Sequence, residues 1–235
     1  MNEILLVATG FLSTFFVYVA WKLGEERLYT AIVAFLILIA TVGGKLVEFF
    51  GHETNTGNIF YAAVFLATYF LIERFGKAKG LRSIWIATIV VVFYTILAQL
   101  SVLYVGTSGT GSFSAAVSVV FASSLRVTFA SVVAFVASQT FNVYLYTYLR
   151  ERFKNKYLWL RANTANALAQ ILDSGIFFLV AFGGVVAPEN ISDIIATGIL
   201  IKIAYMALAS PLLYLNVEER EENHEDAAIT LRWQR

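Results

Sequence analysis

Four polar side chains recur along WLRANTANALAQILDSGIFF, residues 159–178: Asn163, Asn166, Gln170 and Asp173. In a helix turning about 100° per residue they fall within an arc of about 80°, and at about 1.5 Å per residue the stripe runs about 15 Å. Ala162, Ala165 and Ala169 lie beside it, so a neighbouring backbone can come close. Arg161 stands near the basic end of the segment, where a long stem can snorkel to an interface. The segment before it, VTFASVVAFVASQTFNVYLYTYL, places Ser131, Ser138 and Asn142 on one face with Gln139 beside them. The link between the two, about 150–158, is short, so two antiparallel helices can bring their polar faces together. Amides and serines alone can act as glue between helices, but glue does not require a carboxylate. The two faces together are expected to line a polar cavity.

The elements that hold these faces are apolar throughout. The chain is 59% hydrophobic and 14% charged, against about 25% charged in ordinary soluble domains. Residues 4–20, 28–43, 58–72, 84–105, 127–149 and 174–188 contain no charge, and 191–217 holds only Asp193 and Lys202. A bilayer core of about 30 Å takes about 20 such residues as a helix. The expected fold is therefore all-α: a polytopic integral membrane protein of about seven transmembrane helices over 1–217, six being the alternative count, followed by an acidic tail, 218–235, without a fold of its own. The bilayer is its first partner. A charge inside it is costly, so Asp173 must face protein or water.

Charge orients the chain. Lys22, Arg27, Arg74, Lys77, Lys79, Arg82, Arg150, Arg152, Lys154, Lys156 and the tail arginines alternate with connections whose sole cation is Lys45. The Lys/Arg excess marks the cytoplasmic side, giving an outer N-terminus and a cytoplasmic C-terminus. MNEILL lacks a basic n-region, so the first block reads as a retained span. Lys45 and Glu48 form a charged pair at the outer end of the second span, and Glu73 with Arg74 opens the cytoplasmic loop after the third.

Several chemistries have no support. There is no cysteine, and His52 and His224 stand singly in polar loops, so no metal site or cofactor follows. GTSGTGSFS, 106–114, lacks the lysine of a phosphate-binding loop and reads as an outer connection dipping back with 113–124. No nucleophile elbow or Ser-His-Asp pattern appears, so an enzyme is not expected. A net charge of +1 gives no reason to expect nucleic acid as a partner.

Residues 126–182 resemble the queuosine precursor transporter family, also called the vitamin uptake transporter family. Arg126, the run Ala134 to Gln139, the basic loop, Trp159-Leu160-Arg161 and Gln170 with Asp173 before Phe177 carry the likeness. Gly44-Lys45-Leu46-Val47-Glu48 and Glu73-Arg74-Phe75-Gly76-Lys77 are similar to that family's second span and the loop after its third. The chain departs from the pattern at Asn142 and Tyr69, where the family often has carboxylates, and at the glycine before Lys45. The resemblance implies uptake, across the cell membrane, of a 7-deazaguanine such as cyano- or aminomethyl-deazaguanine, or queuine. The residues suit such a ligand: a carboxylate accepts adjacent N–H donors, amides satisfy a carbonyl and ring nitrogens, and aromatics stack on the ring. The candidate substrate-binding residues are Asp173, Gln170, Asn166, Asn163, Asn142, Gln139, Ser138, Glu73, Lys45, Arg126 and Arg161. The alternatives are a vitamin-capturing subunit similar to the S components of energy-coupling-factor importers, and a non-transporting membrane protein. A homodimer is left open.

Overall fold

The computed structural model describes residues 1–107, 109–121, 125–183 and 192–215. It is helical nearly throughout: α1 Asn2–Leu23, α2 Glu25–Val42, α3 Gly57–Phe75, α4 Lys77–Val102, α5 Gly111–Val120, α6 Leu125–Arg152, α7 Leu158–Phe182 and α8 Ser192–Ala209, which ends in a 3-10 turn, Ser210–Leu213. Gly24 and Gly76 each separate two helices, with φ of 109° and 87° that other residues rarely adopt. Between α6 and α7 the chain reverses through Lys154, Asn155 and Tyr157, all at positive φ.

Among the described residues, six helices are long and apolar enough to cross a bilayer: α1, α3, α4, α6, α7 and α8 continued into its 3-10 turn. The seventh expected span, α2, is 18 residues long and opens on Glu25, Glu26 and Arg27 before an uncharged run from Leu28 to Val42. The protein is a multi-pass membrane protein. α3 is mainly apolar around its circumference and buried at Gly57–Ile59 and from Ala62 to Glu73, with Phe60 and Tyr61 half-buried, as a helix largely enclosed by others should be. α1, α2, α4 and α8 pack around it, and α6 and α7 form the most extensive helix pair. Lipid-facing sides are greasy: Leu5, Phe11 and Phe15 on α1, and Trp85, Ile89 and Phe93 on α4, are exposed.

The connection 44–57 differs from the plain loop expected. It holds an antiparallel hairpin, β1 Leu46–Phe49 with β2 His52–Asn55, pairing Leu46 with Asn55 and Phe49 with His52. Phe50 and Gly51 both have positive φ, which matches the twist of a two-residue hairpin turn. Isolated hairpins are marginal; this one is tied to α1 by Asn2 Nδ2 donating to Glu48 O, and to α3 by Asn58 Nδ2 donating to Thr54 Oγ1.

The two ends of the bundle carry different charge. At one, Lys79 bonds Glu25 at 2.8 Å, Arg74 donates to Trp21 O and Arg150 to Ile72 O, gathering the basic connections. At the other lie the N-terminus, the hairpin and the C-terminal end of α7. The acidic tail 218–235, His224 and most of 183–193 lie outside the described residues.

Candidate functional site

The N-terminal halves of α3 and α6, the C-terminal part of α7, and α2, α4 and α8 enclose a cavity of about 380 Å³, at the small end of the range for ligand pockets. Its wall is mainly apolar and aromatic, with Tyr61, Tyr94, Phe121, Phe135, Phe177 and Phe178. Polar atoms enter from Asn55, Asn58, Thr88, Gln99, Ser131, Asp173 and Lys202. α8 comes close because Gly198 faces Asn58: a Cβ there would lie 2.8 Å from Asn58 Nδ2.

At the cavity floor stands Asp173. Its Oδ1 accepts from Tyr61 Oη at 2.7 Å and from Ser138 Oγ at 3.0 Å. Its Oδ2 faces Lys202 Nζ at 3.7 Å, and that ammonium lies 5.2 Å from the centre of the Tyr61 ring. α3, α6, α7 and α8 therefore each contribute one group. Asp173 does face a cavity, and the counter-charge its burial requires comes from α8.

Beneath the floor lies a layer of amides. Gln139 and Asn142 on α6 and Asn166 and Gln170 on α7 are all fully buried. Tyr69 Oη donates to Asn142 Oδ1 at 2.6 Å, and Gln170 Nε2 donates to Asn166 Oδ1 at 3.3 Å. Among the described residues, both polar atoms of Gln139, with Asn142 Nδ2, Asn166 Nδ2 and Gln170 Oε1, have no protein partner. The two polar faces meet as expected, but these four side chains do not line the cavity.

One further layer down, Glu73 Oε1 accepts from Arg161 Nη2 at 2.9 Å and from the Tyr146 hydroxyl, with Arg150 Nε at 3.9 Å. Arg161 is 1% exposed. The expectation that it snorkels to the interface is thus corrected: the carboxylate on α3 draws its guanidinium inward, where Tyr146 and Lys156 O also contact it. Glu73 and Arg161 bind each other and stand apart from the cavity.

Three more candidates also lie off the cavity lining. Asn163 donates to Trp159 O and to Ser210 Oγ at the basic end. Arg126 is exposed and donates to Val180 O and Gly183 O, closing the last turn of α7, whose carbonyls lack helical partners. Lys45 is exposed at the start of the hairpin, although Gly43 and Gly44 before it line the cavity. The candidates brought together at the floor are Asp173 and Ser138. Tyr61 and Lys202 were missed. Lys202 had a signal: a single cation deep in an apolar block needs an anion, and Asp173 was the intramembrane acid in need of a cation. Tyr61 gave none, since tyrosines are abundant in this chain.

The sequence profile of the family described as "Putative vitamin uptake transporter" matches residues 55–216, which include the floor, the amide layer and the Glu73–Arg161 cluster. A protein of Bacillus subtilis (strain 168) named "Probable queuosine precursor transporter" is 33% identical over 171 residues, 72% of this chain and 74% of that one. No solved structure matches. With more than half its length matched by the profile, and a relative this similar across most of both chains, the chain belongs to the vitamin uptake transporter family.

Proposed function

We propose that this protein carries a 7-deazaguanine precursor of queuosine into the cell, binding it at Asp173. The observation that supports this reading most is the state of that carboxylate. One oxygen is held by Tyr61 and Ser138 while the other turns to Lys202 at the cavity floor. A fixed carboxylate reads ring N–H donors, and the aromatic wall offers faces on which a flat heterocycle stacks. The similarity to the Bacillus subtilis protein supports the substrate class.

The basic connections lie in the cytoplasm, the N-terminus lies outside, and seven helices cross the membrane with α2 among them. The cavity then receives substrate from outside. Transfer leads past Gln139, Asn142, Asn166 and Gln170, whose unpartnered donors and acceptors suit a polar ring in passage. The Glu73–Arg161 cluster closes the inner end. No catalytic step is part of this function.

The test is thermal stability of the purified protein titrated with cyano-deazaguanine, aminomethyl-deazaguanine, queuine and guanine. A bound ligand at 100 times its Kd stabilises by about 2.7 kcal/mol. A deazaguanine should raise the melting temperature, and Asp173→Asn should weaken that effect by about tenfold or more in Kd, the worth of a charged hydrogen bond. An unchanged Kd in Asp173→Asn would remove Asp173 from the site. No shift with any of the four would reject the substrate class.

A further inference from the structure

We propose that Lys202 determines specificity at the floor: it donates to the ring carbonyl of the ligand while Asp173 Oδ2 accepts the adjacent ring N–H, so the site reads a lactam edge. This rests on the binding reading above and adds which edge is read and by which second residue.

The spacing carries the argument. Asp173 Oδ1 already has Tyr61 at 2.7 Å and Ser138 at 3.0 Å, so Oδ2 is the oxygen left for a ligand. Lys202 Nζ stands 3.7 Å from Oδ2, beyond the usual hydrogen-bond distance of about 2.7–3.2 Å. Among the described residues its ammonium shows no closer acceptor and otherwise rests over the Tyr61 ring. An ammonium has three protons to give, and a carboxylate oxygen has two lone pairs. Both groups line the cavity, so ligand atoms can reach them.

A lactam fits between them. In a cyclic amide the N–H nitrogen and the carbonyl oxygen lie about 2.3 Å apart, given bonds of about 1.33 and 1.23 Å. Set opposite atoms 3.7 Å apart, that edge makes two hydrogen bonds of about 2.8 Å that splay only slightly. One bond runs to the carboxylate and one from the ammonium, both charge-assisted. The pair is net neutral and takes a neutral edge. An amidinium, with donors at both positions, would set a cation against Lys202.

Replacing Lys202 leaves a buried carboxylate without its cation, so two variants are needed: Lys202→Met, and Lys202→Met with Asp173→Asn, which removes both charges. The ligands are 7-deazaguanine and its 6-thio analogue, in which the carbonyl becomes a much weaker acceptor and the ring N–H remains. Binding is measured by titration on the purified full-length protein, with benzamidine as a third probe. Wild type should bind the oxo ligand about tenfold or more tighter than the thio ligand and should not take benzamidine. Both variants should bind oxo and thio alike, and Lys202→Met, if it folds, should gain benzamidine binding. If oxo and thio differ as much in the double variant as in wild type, Lys202 does not read the carbonyl and this inference fails while the uptake reading stands. If the cyano- and aminomethyl-deazaguanines and queuine bind wild type and 7-deazaguanine does not, the shared lactam edge is not what the floor reads and this inference alone fails; if none of them binds, the uptake reading fails, and this inference with it.

Discussion

Glu73→Gln is the substitution that most directly probes how the inner end is held. The glutamine keeps the shape of the side chain but leaves Arg161, 1% exposed, without its anion at 2.9 Å. What remains to the guanidinium is a neutral amide oxygen in place of the carboxylate, with Tyr146 Oη and Lys156 O, both at 3.4 Å. Breaking a buried pair by removing one partner costs about 3–5 kcal/mol, because the other charge stays buried. At about 2–4 °C per kcal/mol for a chain of this size, the melting temperature should fall by about 10 °C. Glu73→Gln combined with Arg161→Met should recover most of that loss, since both charges are then gone. The assay is a thermal scan of the purified protein in detergent for wild type, both single variants and the double. Arg161 and Asp173 are twelve residues apart on α7, about 18 Å along the helix, so ligand affinity should change far less than stability. A Glu73→Gln protein that melts within about 2 °C of wild type would refute the reasoning: the cluster would be open to water and could not serve as a closed inner end.

Other substitutions separate the layers. Tyr61→Phe removes the shorter of the two bonds to Asp173 Oδ1; ligand Kd should rise about three- to tenfold, read by the same titration, with the fold retained. Gln139→Met takes away two buried atoms that have no protein partner, so the melting temperature should hold or rise, while radiolabelled substrate uptake in cells should fall if the amide layer is the passage. Gly198→Val drives a side chain into Asn58 and should lower both melting temperature and ligand binding by pushing α8, with Lys202, off the floor. Lys79→Ala breaks a partly exposed pair with Glu25 and should cost less than about 1 kcal/mol by the same scan.

The positions of the helices were legible because the bilayer admits few alternatives: uncharged runs of sufficient length become helices, glycine and charged stretches separate them, and loop cations sort to one end. The pairing of α6 with α7 followed from the short link and the matching polar periodicity. The hairpin at 46–55 was not visible, since four-residue strands give little pattern and this pair depends on contacts from Asn2 and Asn58. Arg161 was read from its place near a basic end, and that gave the wrong environment, because α3 supplies Glu73 at the same depth.

By itself, then, the sequence determined a membrane-embedded helical bundle and a polar stripe ending at Asp173, both consequences of what a chain must do to sit in hydrocarbon. Which polar groups share a cavity and which lock to one another was decided only by the tertiary structure. Periodicity fixes the face a residue occupies on its own helix, but not the depth and rotation at which another helix meets it. That register put Tyr61, Ser138 and Lys202 around Asp173, and closed Glu73 onto Arg161.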